Sequence, residues 1–281
     1  MYLNLVTMLL CMFCIGVHAE THYLRYPLQI EIQDKRAQFP IKVLESIFAR
    51  TDQNYVLQAM GTTANQERNL KLIEQGELDI YWSAASISRE QALLAIKIPI
   101  YKGLFGYRLM LVKAENKNLL AGVRTIKDLK KFTIGQGVGW PDVEVYQHNH
   151  IKVDTTNEYA NLFNMLALGR FDLFPRAVVE IWDEVELFKT LNLAVEDNVL
   201  VHYPYAIYFY VKKDAQQLAS IIETGFHRII EDGEYDALFM QYHGNVIDQM
   251  NTQARVVIEL ENPNFKAQNP DSSADLPPTI H

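Results

Sequence analysis

Leu78-Asp79-Ile80-Tyr81-Trp82-Ser83-Ala84-Ala85-Ser86-Ile87-Ser88-Arg89 is the stretch that decides the fold class. Its first half is nearly continuous apolar sequence, as expected of a strand covered on both faces. Its second half turns polar at once, with the hydroxyls of Ser86 and Ser88 and the guanidinium of Arg89 placed just past the strand's C-terminal end. Open α/β sheets bind their ligands at that end. Upstream, Asn65 to Gln75 carries helical periodicity that Gly76 stops, and Tyr55 to Ala59 reads as a short strand before it. Strand, helix and strand in that order make a β-α-β unit.

The rhythm extends in both directions. Phe39 to Ala49 places Ile41, Leu44, Ile47 and Phe48 on one helical face, with Asp34 upstream near its start. Tyr107 to Val112 reads as a strand, Thr125 to Lys131 as a helix capped by Thr125, and Phe132 to Gly135 as a strand entering Gly135-Gln136-Gly137-Val138-Gly139-Trp140-Pro141. Asn157 is suited to cap a helix whose Tyr159, Leu162, Phe163 and Leu166 share a face, stopped by Gly169. Phe171 to Phe174 reads as a strand broken by Pro175, and Ala177 to Lys189 as a helix. Strands at Val199 to Val201 and Ala206 to Val211 flank Pro204, and helices follow at Ala215 to Glu231 and Glu234 to Tyr242, the last ended by Gly244. From Asn251 the composition shifts to Asn, Pro, Ser and Asp; only Val256 to Leu260 reads as structured, with a loose tail from Asn262. Alternating strands and helices over most of the chain predict an α/β fold with mostly parallel sheets.

Composition narrows the function. The chain has 281 residues, 49% hydrophobic and 21% charged, which fits one large or two ordinary globular domains and argues against disorder or coiled coil. A net charge of −8 with no basic stripe speaks against nucleic acid. Leu3 to Val17 is an apolar run of about 15 residues, short of the roughly 20 that span a bilayer. With the small residue Ala19 behind it, this run predicts a signal peptide over residues 1–19 and a mature start near Glu20. Both cysteines, Cys11 and Cys14, fall inside that leader, and neither follows the small residue of a lipid-attachment site. The mature chain then has no thiol nucleophile, thiolate metal site or disulfide.

Candidate sites follow from the strand ends. The glycine loop Gly135 to Gly139 can offer backbone N–H groups to an anion, but neither Gly-Lys-Ser/Thr nor Gly-x-Gly-x-x-Gly is present, so no nucleotide cofactor is implied. Arg89 can grip a carboxylate with two parallel charge-assisted hydrogen bonds. Arg176, beside Pro175, repeats the arrangement in the second half of the chain. Trp82, Trp140, Tyr101 and Phe105 lie near these segments and can stack on a ligand or pack in the core. His148 and His150 could share one face of a strand but find no third metal ligand at suitable spacing. Glu180, Asp183, Glu184 and Glu186 could supply paired carboxylates for acid-base work, though exposed helix faces often read this way. No assembled enzyme motif occurs.

An ordered set of short motifs carries a family resemblance. It comprises Leu78-Asp79-Ile80, Ser86-Ile87-Ser88-Arg89-Glu90, Ile98-Pro99-Ile100-Tyr101-Lys102-Gly103, Ile126-Lys127-Asp128-Leu129, Ile134-Gly135-Gln136-Gly137-Val138-Gly139, Gly169-Arg170-Phe171-Asp172 and Gly233-Glu234-Tyr235. From about Glu20 to Gly244 the chain resembles the bacterial extracellular solute-binding proteins of family 3, the amino-acid-type periplasmic binding proteins. The resemblance implies two α/β lobes joined by two hinge crossovers: residues 20–104 with 206–250, and residues 107–203, followed by a C-terminal extension over 251–281. It implies a monomer that closes on a small amino-acid or anionic ligand and serves an ABC-transporter permease or a membrane sensor. Arg89 maps to the carboxylate-gripping arginine, Ser86 or Ser88 to the hydroxyl before it, and Gly139 with its neighbours to the donating loop. Amino-acid binders of the family usually carry an Asp a few residues after the strand that here holds Asp172. Ala177 stands there instead, next to Arg176, and this departure points to a small anion with two acidic groups. The other readings are a dehydratase-like periplasmic enzyme on the same scaffold, with Glu180 as its nearest acid-base group, and a sensory protein without transport.

Overall fold

The computed structural model describes residues 21–29, 35–51, 53–250 and 252–266. The predicted leader over 1–19, Asp34, and the tail beyond 266 lie outside the described residues.

The first lobe begins with β1 (Thr21–Gln29), α1 (Gln38–Phe48), β2 (Asn54–Thr62), α2 (Gln66–Gln75), β3 (Ile80–Ala84), α3 (Ile87–Ala92) and β4 (Leu93–Ile96). The second contains β5 (Tyr107–Lys113), α4 (Ile126–Leu129), β6 (Thr133–Gly137), α5 (Asp142–His148), β7 (Lys152–Thr156), α6 (Tyr159–Ala167), β8 (Phe174–Ala177), α7 (Ile181–Leu187) and β9 (Leu193–His202). The chain then returns through β10 (Ile207–Lys212), α8 (Gln216–Glu231) and α9 (Glu234–Met250), and ends in β11 (Val256–Glu259) and α10 (Pro263–Lys266).

In the first lobe β1 pairs in parallel with β2, and β10 lies antiparallel between β3 and β4. The Asp79 amide donates to the Arg25 carbonyl at 2.9 Å, and the Asp79 carboxylate takes Arg25 Nε at 2.8 Å, which ties β1 to the start of β3. In the second lobe the order is β11-β9-β5-β8, with β6 and β7 pairing in parallel beside it. Local signals place the helices as their chemistry requires. Asn65 accepts the Arg68 amide at 2.9 Å to start α2, and Gly76 ends it at φ 77°, a value cheap only for glycine. Thr125 and Asp128 form a reciprocal capping box at the start of α4.

Three expectations are corrected. Pro175 does not break a strand: it sits inside β8, opposite Met110, and β8 is the edge of its sheet, where a missing N–H disturbs no ladder. Gly244 does not end the last long helix, because α9 runs on to Met250, whose side chain is fully buried and holds the final turns against the core. Residues 262–265 are docked rather than loose. Asn262 Nδ2 donates to the Pro204 carbonyl at 2.8 Å, Asn264 Nδ2 to Glu144 at 2.6 Å, and Phe265 enters a small cluster with Leu70, Ile73 and Tyr210 of the first lobe.

The hinge lies where residues 97–106 and 203–206 pass between the lobes. The Tyr203 amide donates to the Gly106 carbonyl at 3.2 Å, and a Cβ on Gly106 would stand 2.3 Å from the Tyr203 carbonyl oxygen, so only glycine allows the two crossovers to run side by side. The C-terminal segment adds a strap. β11 joins the second-lobe sheet beside β9, the Leu260 amide donates to the His202 carbonyl at 2.8 Å, and Phe265 then reaches back into the first lobe.

Candidate functional site

Between the lobes lies a cavity of about 620 Å³, a size suited to a small-molecule ligand. The first lobe contributes Tyr81, Trp82 and Ser83 from β3, Arg36, and the Thr63 to Gln66 turn that starts α2. The second contributes Arg108 of β5, Trp140, Asp142 at the start of α5, Tyr159 of α6, Arg176 of β8 and Glu180. Tyr101, Phe105 and Tyr205 close the hinge side.

Two buried ion clusters form the second-lobe wall. Arg176 is 3% exposed and binds Glu184 through Nε at 2.7 Å and Nη2 at 2.6 Å, with Glu180 at 2.9 Å from Nη2. Its guanidinium also lies 5.0 Å from the Trp140 ring centroid, a cation–π distance. Burial pulls the Arg176 pKa down, but Glu180 and Glu184 more than offset this and hold it above its usual value. Burial pushes the Glu180 carboxyl up, while Arg176 opposes the shift. The second cation expected from the sequence is therefore already bracketed by two carboxylates. The Arg176, Glu180, Glu184 spacing of four and four was the signal that could have revealed it.

The other cluster, at the hinge, escaped the sequence reading. Asp142 accepts the Tyr203 hydroxyl at 2.5 Å and the Tyr205 hydroxyl at 2.7 Å, and its Oδ1 lies 2.8 Å from Arg108 Nη2. That last contact has ion-pair distance without hydrogen-bond alignment, so Nη2 and Nε of Arg108 are buried with no hydrogen-bond partner. These residues lie far apart in sequence and carry no local motif, so only the fold could assemble them.

Of the residues expected to bind ligand, Trp82, Trp140 and Arg176 line the cavity. Arg89 sits behind it, 5% exposed, with Nη1 on Ser83 Oγ at 2.9 Å and the Ala84 carbonyl at 3.1 Å. Its Nη2 meets Gln66 Oε1 at 2.8 Å, Glu67 Oε1 at 2.6 Å and, across the cleft, the Gly139 carbonyl at 3.2 Å. A carboxylate does occupy the arginine, but it is the protein's own. Ser86 caps α3, accepting the Arg89 amide at 3.3 Å, and Ser88 Oγ lies 3.2 Å from Ser86 Oγ. In the glycine loop the amides of Gly135, Val138 and Trp140 donate to Leu173, Thr156 and Gly137. A Cβ at Gly137 would stand 2.4 Å from the Trp140 ring, so this glycine makes room for the aromatic wall. Gly139, at φ 76°, abuts Glu67. His148 faces Glu261 at 3.4 Å, and no group of metal-ligating side chains assembles among the described residues.

Comparison with known proteins agrees with this architecture. The sequence profile of the bacterial extracellular solute-binding proteins, family 3, matches residues 26–245. The structure is similar to the probable amino-acid ABC transporter extracellular-binding protein ytmK from Bacillus subtilis, with 18% identity and a TM-score of 0.60, covering 80% of this chain and 99% of that one. It is also similar to an ancestral arginine-binding protein bound to arginine, at 16% identity and a TM-score of 0.58, covering 80% and 99%. A histidine kinase sensor domain with similarity to periplasmic binding proteins aligns at 12% identity and a TM-score of 0.57, covering 80% and 96%. At these identities the likeness is one of fold. No curated protein matches the sequence. No helix among the described residues is long and apolar enough to cross a membrane.

Proposed function

Because the chain belongs to the bacterial extracellular solute-binding proteins of family 3, we propose that it is a periplasmic receptor that captures a small α-amino acid between its lobes and delivers it to an ABC-transporter permease or a membrane sensor. The observation that carries this reading is the cavity between the lobes, where buried ion clusters alternate with aromatic walls. Such a site replaces the hydration of a zwitterion with fixed charges and covers its side chain with apolar surface.

The missing Asp at Ala177 then has a substitute. Glu180, three residues later, lines the cavity while Arg176 holds it in place, and it offers its carboxylate to the ligand's ammonium. This reading favours a zwitterion over the doubly acidic ligand suggested by the sequence, since two carboxylates surround Arg176. Capture needs no covalent step. Glu180, clamped by Arg176, orients the ligand in this account.

A thermal-shift screen of the mature chain tests the reading, with amino acids set against mono- and dicarboxylates. An amino acid at a hundredfold excess over its Kd is expected to stabilise the fold by about 2.7 kcal/mol, with the gain reduced in Glu180→Gln. Stabilisation by dicarboxylates alone would overturn the zwitterion assignment.

A further inference from the structure

A strand at the edge of a sheet presents unpaired N–H and C=O groups that a further strand can take, and proteins blunt such edges with short strands, charges or proline. Four edges in this fold are blunted in that way. β4 and β11 span four residues each, and β11 ends in Glu259. β7 spans five and carries Lys152 and Asp154, and β8 carries Pro175. β2 has none of these devices. It is the outer strand of the first lobe, with β1 between it and β3. It runs nine residues, Asn54-Tyr55-Val56-Leu57-Gln58-Ala59-Met60-Gly61-Thr62, with no charge, no proline and no break in its register on β1. Among the described residues its backbone bonds to β1 alone, so one row of its N–H and C=O groups faces outward. Tyr55 and Leu57 turn to the core beside Phe48, which sets Val56, Gln58 and Met60 on the other face. Val56 is 39% and Met60 38% exposed, and Tyr23, opposite Val56 on β1, is 63% exposed.

We infer that β2 pairs antiparallel with β2 of a second copy of this chain, in a symmetric dimer centred on Gln58. The strand is self-complementary in that register. Val56 of each copy faces Met60 of the other, so the two exposed apolar side chains cover each other. On the opposite face Tyr55 meets Gly61 and Leu57 meets Ala59, a large residue against a small one each time, while Asn54 meets Thr62 at the ends. No like charges are brought together, which matters for copies that each carry a net charge of −8. The contact consumes the free edge of both copies and therefore closes at two. A standard interface draws roughly 20–30 residues from each partner; this strand with Tyr23 falls short of that, so the pair is transient, with a dissociation constant on the order of 100 µM. The family resemblance implies a monomer, and below that concentration a monomer is what this edge leaves. The inference stands apart from the ligand reading, because it uses no residue of the cavity.

Sedimentation velocity of the mature chain over about 5 to 500 µM tests this, with the average mass expected to rise from that of one copy toward that of two and no further. Val56→Lys with Met60→Lys sets like charges opposite each other twice and should raise the dissociation constant at least about tenfold. Both side chains are exposed on the single copy, so the melting temperature should hold. Val56→Glu with Met60→Glu should act alike, and mixing the two double variants should restore the pair. The register has its own test in a mature chain that the sequence expects to lack cysteine. Under mild oxidation Gln58→Cys should be trapped as a disulfide-linked dimer and Asn54→Cys should not, because antiparallel pairing holds the two copies of position 54 about 27 Å apart. Should the charged variants not fold, these two cysteine variants still decide the matter. The inference is overturned by a wild type that stays a single copy throughout the range, by growth beyond two copies, by a folded double-lysine variant that associates like the wild type, or by equal cross-linking at both cysteines.

Discussion

Replacing Arg176 with methionine would expose how the cavity wall is held. The guanidinium is 3% exposed and touches two carboxylates, Glu184 at 2.6 Å and Glu180 at 2.9 Å. Removing one partner of a buried ion pair generally costs about 3–5 kcal/mol, because a buried charge is left uncompensated. Here Glu184 loses its cation and Glu180 keeps only Arg36 at 3.8 Å, so Arg176→Met belongs within that range. For a protein of this size, each kcal/mol is worth roughly 2–4 °C, and the melting temperature should fall by about 10 °C or more. The deficit must also depend on pH in a fixed direction. Without the guanidinium, the burial that already pushes the Glu180 carboxyl up loses its main opposition, and the folded-state pKa of Glu180 rises further above its unfolded value of about 4.3. The penalty is complete above the raised value and disappears below the unfolded one. Melting curves of the wild type and Arg176→Met at pH 7.5 and 4.5 should therefore converge at the lower pH. Adding Glu184→Gln to Arg176→Met should cost less than the two single changes combined. A deficit under about 1 kcal/mol, or one of the same size at both pH values, would refute the argument that the arginine neutralises both acids.

Burial in the Phe39, Tyr101 and Phe239 cluster drops the His243 imidazole to about 4, so it stays neutral in the folded protein while an unfolded histidine titrates near 6.5. Its contribution is complete above pH 6.5 and is lost as the pH falls toward 4, by at most about 3 kcal/mol; urea titrations across that window should show a slope that His243→Phe flattens. Gly106→Ala would drive a methyl group to within 2.3 Å of the Tyr203 carbonyl oxygen at the hinge, for a loss of about 1–3 kcal/mol in chemical denaturation. Phe265→Ala should release the C-terminal strap before the lobes unfold. Hydrogen exchange would show this as faster exchange at the Leu260 amide, with the Ile222 and Phe226 amides of α8 unchanged.

The fold was legible wherever a local signal and burial agreed. Asn65 and Gly76 bracket α2 because each meets a helix-end requirement that few residues satisfy. The run from Leu78 contains the strand Ile80–Ala84, buried at Ile80, Ser83 and Ala84, while Tyr81 and Trp82 are half-buried and line the cavity. Signals failed where tertiary context overrode a local preference: Pro175 is tolerated on an edge strand, and Gly244 is carried inside α9 by the buried turn around Met250. The docked tail was hidden because polar residues usually mark loops, whereas Asn262 and Asn264 are buried with their amide groups hydrogen-bonded to Pro204 and Glu144. At the cavity, composition and strand ends pointed to Trp82, Trp140 and Arg176, but a side chain's partners cannot be read from its own position. The Glu67 carboxylate on Arg89 comes from a helix start 22 residues away, and Asp142 meets Tyr203 and Tyr205 from 61 and 63 residues away.

The most direct test of the account is a crystal structure of the mature protein grown with the amino acid that stabilises it most. The account predicts that amino acid enclosed between Trp82 and Trp140 with its ammonium facing Glu180. An amino acid bound outside the cavity, or lobes that stay apart around an empty one, would contradict it.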